Sequence, residues 1–482
     1  MKVSISYPPL SDSRHPTLGQ NRQFQWFHNP SFIYPMVPAS AATLLKQQGH
    51  EVLWDDAIAM KWTADDWYEF IRAERPRVVA METKTPVVKL HWEIVRRLKE
   101  MMPESTVVLF GDHVTAMPEE TLSNCPVDYV LTGGDYDFLL ANLVGHLEGH
   151  AELEPGIWYR TGDTVESSGP FALSHDLNTL PEIDRELTRW DLYGEHLFIK
   201  SPNTYIMSGR DCWYGRCTFC SWTTLYPKFR VRDHDKVLDE IGSLVHRYGV
   251  RELFDDTGTF PAGGWLNRFC SGMIDRGYSD KLRISCNARV GALSLEQYLL
   301  MKSAGFRLLK FGLESANQST LDRLDKGTTV EQIVDSCRLA KKAGLTVHLT
   351  TMVGYPWEDL QDANRTLDLA RELLADGAAD MLQATIVIPY PGTPLFKEAR
   401  ENDWLLTQDW DRYDMSAPVL KSPIGDEQLC ELTQGLYRAF LSPRFIGRTL
   451  VSIRSADDLR FVGRAGKAVI GHLKDFAKRP RN

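Results

Sequence analysis

Two blocks of strand–helix alternation, separated by about fifty residues of weak periodicity, constrain this chain more than any other feature. In the first block, residues 1–147, the β-branched runs "KVSIS", "EVLW", "RVVAM", "TVVLF" and "DYVL" alternate with helical patterns over 39–48, 65–74, 89–101 and 136–147. Apolar runs at this rhythm predict a parallel, doubly wound sheet covered on both faces. Sheets of this kind bind ligands beyond the carboxyl ends of their strands. The loops there read "YPPL", "WDDA", "METKTP", "FGDHVTAMP" and "LTGGDYD", rich in Gly, Pro and polar residues. In the second block, strand patterns at 204–208, 251–255, 283–286, 308–311, 346–352 and 381–387 alternate with helical ones, including 236–248, 295–304, 331–343 and 360–376. Six such units predict a partial (β/α) barrel whose working residues sit at the C-terminal strand ends. The expected organisation is α/β: a doubly wound domain over 1–148, a linker over 149–200 with a small hairpin around "GIWYR", a partial (β/α)6 barrel of the TIM type over 201–424, and a basic helical region over 425–482.

The net charge of −9 over 482 residues leaves no global basic field for nucleic acid. No apolar run reaches the roughly 18 residues a membrane-spanning helix needs. The start, "MKVSISYPPL", turns into Pro-Pro after one short run and lacks a signal peptide's apolar core, so a cytoplasmic location is expected. Charge is unevenly spread. From Arg438 onward there are eleven Lys/Arg against three Asp, a net +8, which leaves −17 for the rest. A solvated basic tail is the plain reading, and peripheral contact with anionic lipid or an acidic substrate is the sharper one.

Of eight cysteines, Cys125, Cys270, Cys286, Cys337 and Cys430 stand singly and read as small apolar fillers. The other three fall in "DCWYGRCTFCSW", where Cys212, Cys217 and Cys220 form C-x4-C-x2-C. Structural zinc wants four N/S ligands, usually as two pairs. Here no second pair exists, and the next histidine, His234, comes 14 residues after Cys220; a three-ligand zinc site is the lesser alternative. A four-iron cluster takes one thiolate per iron, so three cysteines leave one iron open to a small molecule that binds through amine and carboxylate groups. The loop directly follows the strand pattern "TYIMS", which puts it at the barrel mouth, with Phe219 as a shield against water.

On these residues the chain resembles the radical S-adenosylmethionine (SAM) superfamily, whose usual signature is C-x3-C-x2-C with an aromatic before the last cysteine. "WYGR" makes the first gap one residue longer here. The likeness continues strand by strand. "LFDDTGTF" resembles the segment with polar contacts to the SAM methionyl group, which implies Asp255, Asp256 and Thr257; "CNARV" implies that Arg289 faces the cofactor. "FGLESAN" implies ribose and carboxylate contacts from Glu314 and Ser315, and "MVGYPWE" puts Val353 and Gly354 near the adenine. "IPYPGTPLF" is typical of the subgroup that also carries a cobalamin domain. The front block is similar to that flavodoxin-like domain through "GDHVTAMPEETL" and "VDYVLTGGDYDFLL", which implies cobalamin contacts from Pro9, Gly111, Asp112, His113, Thr115, Gly133 and Gly134. The D-x-H-x-x-G motif of histidine-on cobalamin proteins is absent, so cobalamin bound without a protein histidine on cobalt is implied, with His113 as a hydrogen-bonding group.

The resemblance implies an enzyme with a [4Fe-4S] cluster, SAM and cobalamin. It would cleave SAM reductively, take electrons from a reductant such as flavodoxin or ferredoxin, and functionalise an unactivated carbon. C-methylation of a small molecule or lipid is the leading expectation. Radical rearrangement or ring formation, the layout of the anaerobic magnesium-protoporphyrin cyclase and the hopanoid cyclitol ether enzyme, is the alternative. A non-catalytic electron carrier or cobalamin sensor is the third. Tyr355 and Tyr390 are substrate-facing candidates that read equally as rim aromatics, and "NRQFQWFHNPSF" would suit a lid.

Overall fold

The computed structural model describes residues 1–10, 15–18, 25–27, 31–194 and 198–475. The lid expectation falls largely outside them. The first sheet contains β1 (Lys2–Tyr7), β2 (Glu51–Asp56), β3 (Val78–Glu82), β4 (Thr106–Phe110), β5 (Tyr129–Leu131), β6 (Ile157–Thr161) and β7 (Thr164–Ser167), in the spatial order β7-β6-β5-β4-β3-β1-β2. The first five strands are parallel and run 2-1-3-4-5, the flavodoxin-like order, which reverses between β1 and β3. Successive side chains of these strands feed opposite cores. Val78, Ala80, Val108 and Phe110 pack on one side, and Val79, Met81, Val107 and Leu109 on the other. A strand buried on both faces has to be apolar without alternation, which is why "VVAM" and "TVVLF" read as continuous runs.

The hairpin expected in the linker is β6–β7, and it belongs to the sheet: β6 adds antiparallel to β5 and β7 to β6. The reason is the open edge that three-residue β5 would otherwise present. Helices Met36–Gln47, Ala64–Glu74, Val88–Met101 and Tyr136–Leu147 cover the faces. Ala64–Glu74 starts at a capping box in which Thr63 and Asp66 satisfy each other's backbone N–H.

The second sheet contains β8 (Asn203–Ile206), β9 (Glu252–Asp255), β10 (Arg283–Ala288), β11 (Phe306–Glu314), β12 (Thr346–Val353) and β13 (Met381–Ile386), all parallel and in chain order. Helices between them include Gly263–Asp275, whose Leu266, Phe269, Cys270 and Met273 recur at helical spacing and are buried. β8 and β13 do not pair, so the barrel is open on one side. C-terminal helices span that gap. Helix Asp426–Tyr437 packs on β13, where the Tyr437 hydroxyl lies 3.2 Å from both the Ala384 nitrogen and oxygen. Helix Ala456–Asp475 is tied to the approach to β8 by Lys200–Asp457 at 2.8 Å and by Arg464 donating to the Phe198 carbonyl at 2.6 Å.

The two sheets dock through a buried ion cluster. Arg210, just after β8, donates to Asp135 at 2.7 Å and to Asp137 at 3.0 Å, and Arg230 donates to Asp135 at 2.6 Å. The Tyr226 hydroxyl donates to the Gly134 carbonyl at 3.0 Å. Residues after the barrel complete the contact: Trp410 donates to Glu120 at 3.0 Å, and Lys89 pairs with Asp409 and Asp411.

Candidate functional site

The cysteine loop leaves the barrel between two short strands, Gly209–Arg210 and Arg230–Val231, that pair with each other at its base. A Cβ on Gly209 would lie 2.7 Å from the Arg230 carbonyl, so only glycine lets the strands approach this closely. The four residues between Cys212 and Cys217 are clamped to the loops around them. Trp213 donates to the Phe260 carbonyl at 3.2 Å. The Tyr214 hydroxyl donates to the Asp325 carbonyl at 2.8 Å, and Arg216 forks onto the Asp325 carboxylate at 2.7 and 3.0 Å. Gly215 turns in the left-handed region at φ +59°. The extra residue is therefore part of a braced loop. Beyond it, the backbone of Thr218 bonds Leu324 and Leu395, and Phe219 packs against the cluster of Leu324, Tyr355 and Leu395.

All three thiols line one cavity of about 1200 Å³ that runs from the strand carboxyl ends into the barrel. The Cys212 sulfur is 3.0 Å from the Thr259 hydroxyl. Burial raises the thiols of Cys217 and Cys220 above their ordinary range, with Lys326 opposing the rise. The sulfurs share a wall without converging on a point. Among the described residues, the set of three Cys, His, Asp or Glu ligand atoms lying within 4.8 Å of one another is that of Asp233, His234 and Asp235. A single tetrahedral ion needs convergence, whereas a cube with one thiolate per iron needs its ligands spread apart.

Around the thiols stand Asp256, Asn287, Arg289, Glu314 and Lys326. Glu314 ends β11 with φ +59°, a strained conformation for a residue with a Cβ, and its Oε1 accepts from Lys326 Nζ at 2.8 Å. Gly312 makes the room: a Cβ there would lie 1.9 Å from Glu314 Oε1. Burial lowers the Lys326 ammonium's affinity for its proton, but Glu314 and Cys217 more than offset this and hold it above its usual value. Arg289 stacks 3.6 Å over the Tyr214 ring and donates to the Gly327 carbonyl at 2.9 Å. Arg289 and the cysteine loop therefore brace each other.

Other motif residues point elsewhere. Asp255 is buried and accepts from Ser208, from Thr257 N at 3.0 Å and from the Thr257 hydroxyl at 2.5 Å; Thr257 in turn accepts from Gly209 N at 3.0 Å. These two lock the ends of β8 and β9 together, and Asp256 between them lines the cavity. Ser315 donates to Glu358 at 2.7 Å and accepts from Asn317, away from the cavity. Val353 is in the barrel core, and Gly354 turns at φ +94° against Leu429 and Ile386. Neither tyrosine candidate lines the cavity. Tyr390 donates to the Tyr413 carbonyl at 3.1 Å, and Tyr355 is buried and stacked on Trp357 at 5.3 Å.

The strand face within the cavity is largely polar, with Lys310, His348, Thr350, Gln383 and Thr385 beside Met352 and Met381. Their period-two spacing in "TVHLTTMV" and "MLQATI" was the available signal, since alternate residues of a strand share a face.

At the carboxyl edge of the first sheet, Pro9 follows β1, partly exposed, and Gly111 at φ +126° sits so near β3 that a Cβ would meet the Thr83 carbonyl at 2.2 Å. Thr115 donates to the Gly111 carbonyl at 2.7 Å and accepts from Gly133 N at 3.0 Å, joining the two glycine loops. Asp112 is buried 3.7 Å from Lys84, which also meets Glu82 at 3.2 Å. His113 is buried between Thr85 at 3.2 Å and Glu120 at 3.3 Å, a hydrogen-bonding histidine. Gly133 and Gly134 face protein: a Cβ on them would strike Phe171 at 2.5 Å and Tyr226 at 1.9 Å.

Two family models match in succession, the B12 binding domain over residues 31–139 and the radical SAM superfamily over 206–370. It is a radical SAM enzyme with a B12-binding domain. The radical SAM domain holds the cysteine loop, and the B12-binding domain is the doubly wound sheet in front of it. The chain is similar to a protein of Pyrococcus horikoshii described as an uncharacterized methyltransferase, 29% identical over 92% of this chain and 94% of the relative. It is also similar to the anaerobic magnesium-protoporphyrin IX monomethyl ester cyclase of Rubrivivax gelatinosus, 27% identical over 92% of this chain and 79% of that one. Among solved structures it shares the fold of the radical SAM methyltransferase TsrM from Kitasatospora setae with cobalamin and a [4Fe-4S] cluster bound (TM-score 0.69, 17% identity, 98% and 99% coverage). The cofactors that the two domains imply are a [4Fe-4S] cluster, SAM and cobalamin. The residues fit them: three spread thiols share one wall, and the Thr83 and Tyr136 side-chain oxygens are buried without a partner in the B12-binding domain.

Proposed function

We propose that this enzyme transfers a methyl group to an unactivated carbon of a small molecule or lipid. When bound, the cluster with SAM supplies one-electron chemistry that opens an unreactive C–H bond, and cobalamin supplies a methyl group. Cys212, Cys217 and Cys220 are the ligands for three irons in this reading. Asp256, Asn287 and Arg289 face the methionyl group, and Glu314, its carboxylate oriented by Lys326, accepts from the ribose. Asp255, Thr257 and Ser315 act through the backbone they hold. Gly111, Asp112 and Thr115 shape the corrin's seat, and Phe219 keeps water from the cluster. A reductant of the flavodoxin or ferredoxin kind supplies the electrons.

The observation that carries the reading is one cavity of about 1200 Å³ that joins the three thiols to a largely polar strand face. An electron carrier has no use for such a space. Near-attack geometry matters because a misplaced radical attacks whatever is nearest, and a packed, braced loop provides it. The test is turnover with methyl-deuterated SAM: label in the product is expected. The 27% likeness to a cyclase supports ring formation as the second reading, and it would be favoured by a cyclised product without label.

A further inference from the structure

We infer that helices Pro443–Ser452 and Ala456–Asp475 form a docking surface for an anionic lipid bilayer, and that an amphiphilic substrate passes between them into the barrel cavity. Four observations converge on this. The first is position: these helices cover the gap between β8 and β13. The strand wall is missing only there, so side chains rather than a hydrogen-bonded sheet separate the cavity from solvent.

The second is the distribution of exposed apolar side chains. Ten large ones are exposed among the described residues, and six of them, Leu441, Ile446, Leu450, Val451, Leu459 and Ile470, fall in this short region. Val451 is 82% exposed, and Leu450 and Leu459 about 60% each. Scattered exposed leucines are ordinary, whereas a cluster marks a surface that meets something apolar. Third, Leu441, Ile446, Leu450 and Ile470 also line the cavity. The same apolar side chains therefore belong both to the outer surface and to the cavity wall.

The fourth is charge. Helices Pro443–Ser452 and Ala456–Asp475 carry six Lys/Arg against three Asp in a chain of net charge −9, and Arg444 and Arg460 are more than 70% exposed. Basic helices with an apolar face lie in the plane of an anionic interface. A second copy of this face would bring like charges together, which disfavours self-association through it. The interior matches such a ligand: the helices contribute Phe445, Phe461, Val462 and Val469 to the cavity lining and the strands contribute Lys310 and Gln383, so an apolar body would lie along the helices with its polar group toward the strands. The inference rests on the proposed reaction only in naming the amphiphile as substrate. Bilayer binding is independent of it.

The test is flotation of the reconstituted full-length enzyme with phosphatidylcholine vesicles, with and without phosphatidylglycerol. The wild type is expected to float with the anionic vesicles alone. Val451→Asp/Leu459→Asp, which alters neither cavity wall nor site, should bind at least tenfold more weakly, and Leu299→Asp on a remote exposed position should bind as the wild type does. A fluorescent fatty acid probes the passage: the wild type should bind it, and Phe461→Asp should weaken that binding about tenfold. Equal flotation on both vesicle types, or undiminished flotation of the double variant, overturns the surface. So does a dimer in sedimentation velocity that the double variant dissociates. Failure of the wild type to bind the fatty acid overturns the passage. SAM cleavage without substrate is read on the same samples. Its absence in the wild type would reject the enzymatic reading while the vesicle result stands on its own.

Discussion

Glu314 and Lys326 meet at 2.8 Å beside the cysteine loop, and Gly312 leaves the space that the pair occupies. Twelve residues separate the two in sequence, and the left-handed turn at Glu314 brings them together. Breaking a buried pair strands a charge, at a cost of about 3–5 kcal/mol. Lys326→Met is therefore expected to weaken SAM binding at least tenfold in equilibrium dialysis with reconstituted protein. Gly312→Ala should do the same by displacing the carboxylate, although it removes no functional group.

The clamp on the cysteine loop separates two kinds of contact. Tyr214→Phe keeps the ring under Arg289 and loses only the hydroxyl's bonds to Asp325, worth about 1 kcal/mol net. Iron content after reconstitution should stay near wild type. Tyr214→Ala removes the ring as well, and iron content should fall to about half or less while Arg289 loses its platform.

Arg210 lies buried between Asp135 and Asp137. Replacing it by Leu leaves Asp137 buried without a counter-charge while Asp135 keeps Arg230, for which about 3–5 kcal/mol and a fall in Tm of roughly 3–5 °C are expected. Arg210→Lys should rescue only part of this, since a single ammonium cannot reproduce the two-pronged contact. Differential scanning calorimetry reads both, and limited proteolysis should find new cuts between residues 148 and 200.

Burial pushes Asp55 up to about 6, against hydrogen bonds from Ser4, Ser6 and Trp67 that favour the charged form. A carboxyl with a raised folded pKa is protonated in the native state and ionised in the unfolded chain between about pH 4 and 6, so its contribution to stability falls as pH rises through that window. Asp55→Asn lacks the titration. Its Tm deficit relative to wild type should therefore be largest near pH 4 and shrink by pH 7. A deficit that does not change with pH would contradict the raised pKa.

Much of this architecture was legible from the sequence, for identifiable reasons. Strands buried on both faces must be apolar throughout, so β3 and β4 stood out, and the spacing of Cys212, Cys217 and Cys220 marked out a loop whose three thiols line one cavity. The pattern at 308–311 is shorter than β11 because Arg307 and Gly312 look like interruptions, whereas both line the cavity. A pattern rule that equates polar with outside fails where a barrel encloses a site. The Glu314–Lys326 pair was invisible because a loop conformation, not a period, brings it together. Asp255 and Ser315 carry the motif, yet their side chains serve hydrogen-bond networks that no one-dimensional pattern encodes. The C-terminal charge shift could be counted, but the gap that those helices cover could not.

The most direct test of the central claim is iron, acid-labile sulfide and 5′-deoxyadenosine measured together on anaerobically reconstituted wild type and Cys217→Ala, with dithionite and SAM. The wild type should carry about four irons and four sulfides per chain and form 5′-deoxyadenosine, and the variant should lose that product. A wild type without sulfide, or a variant that cleaves SAM as fast as its parent, would contradict the account.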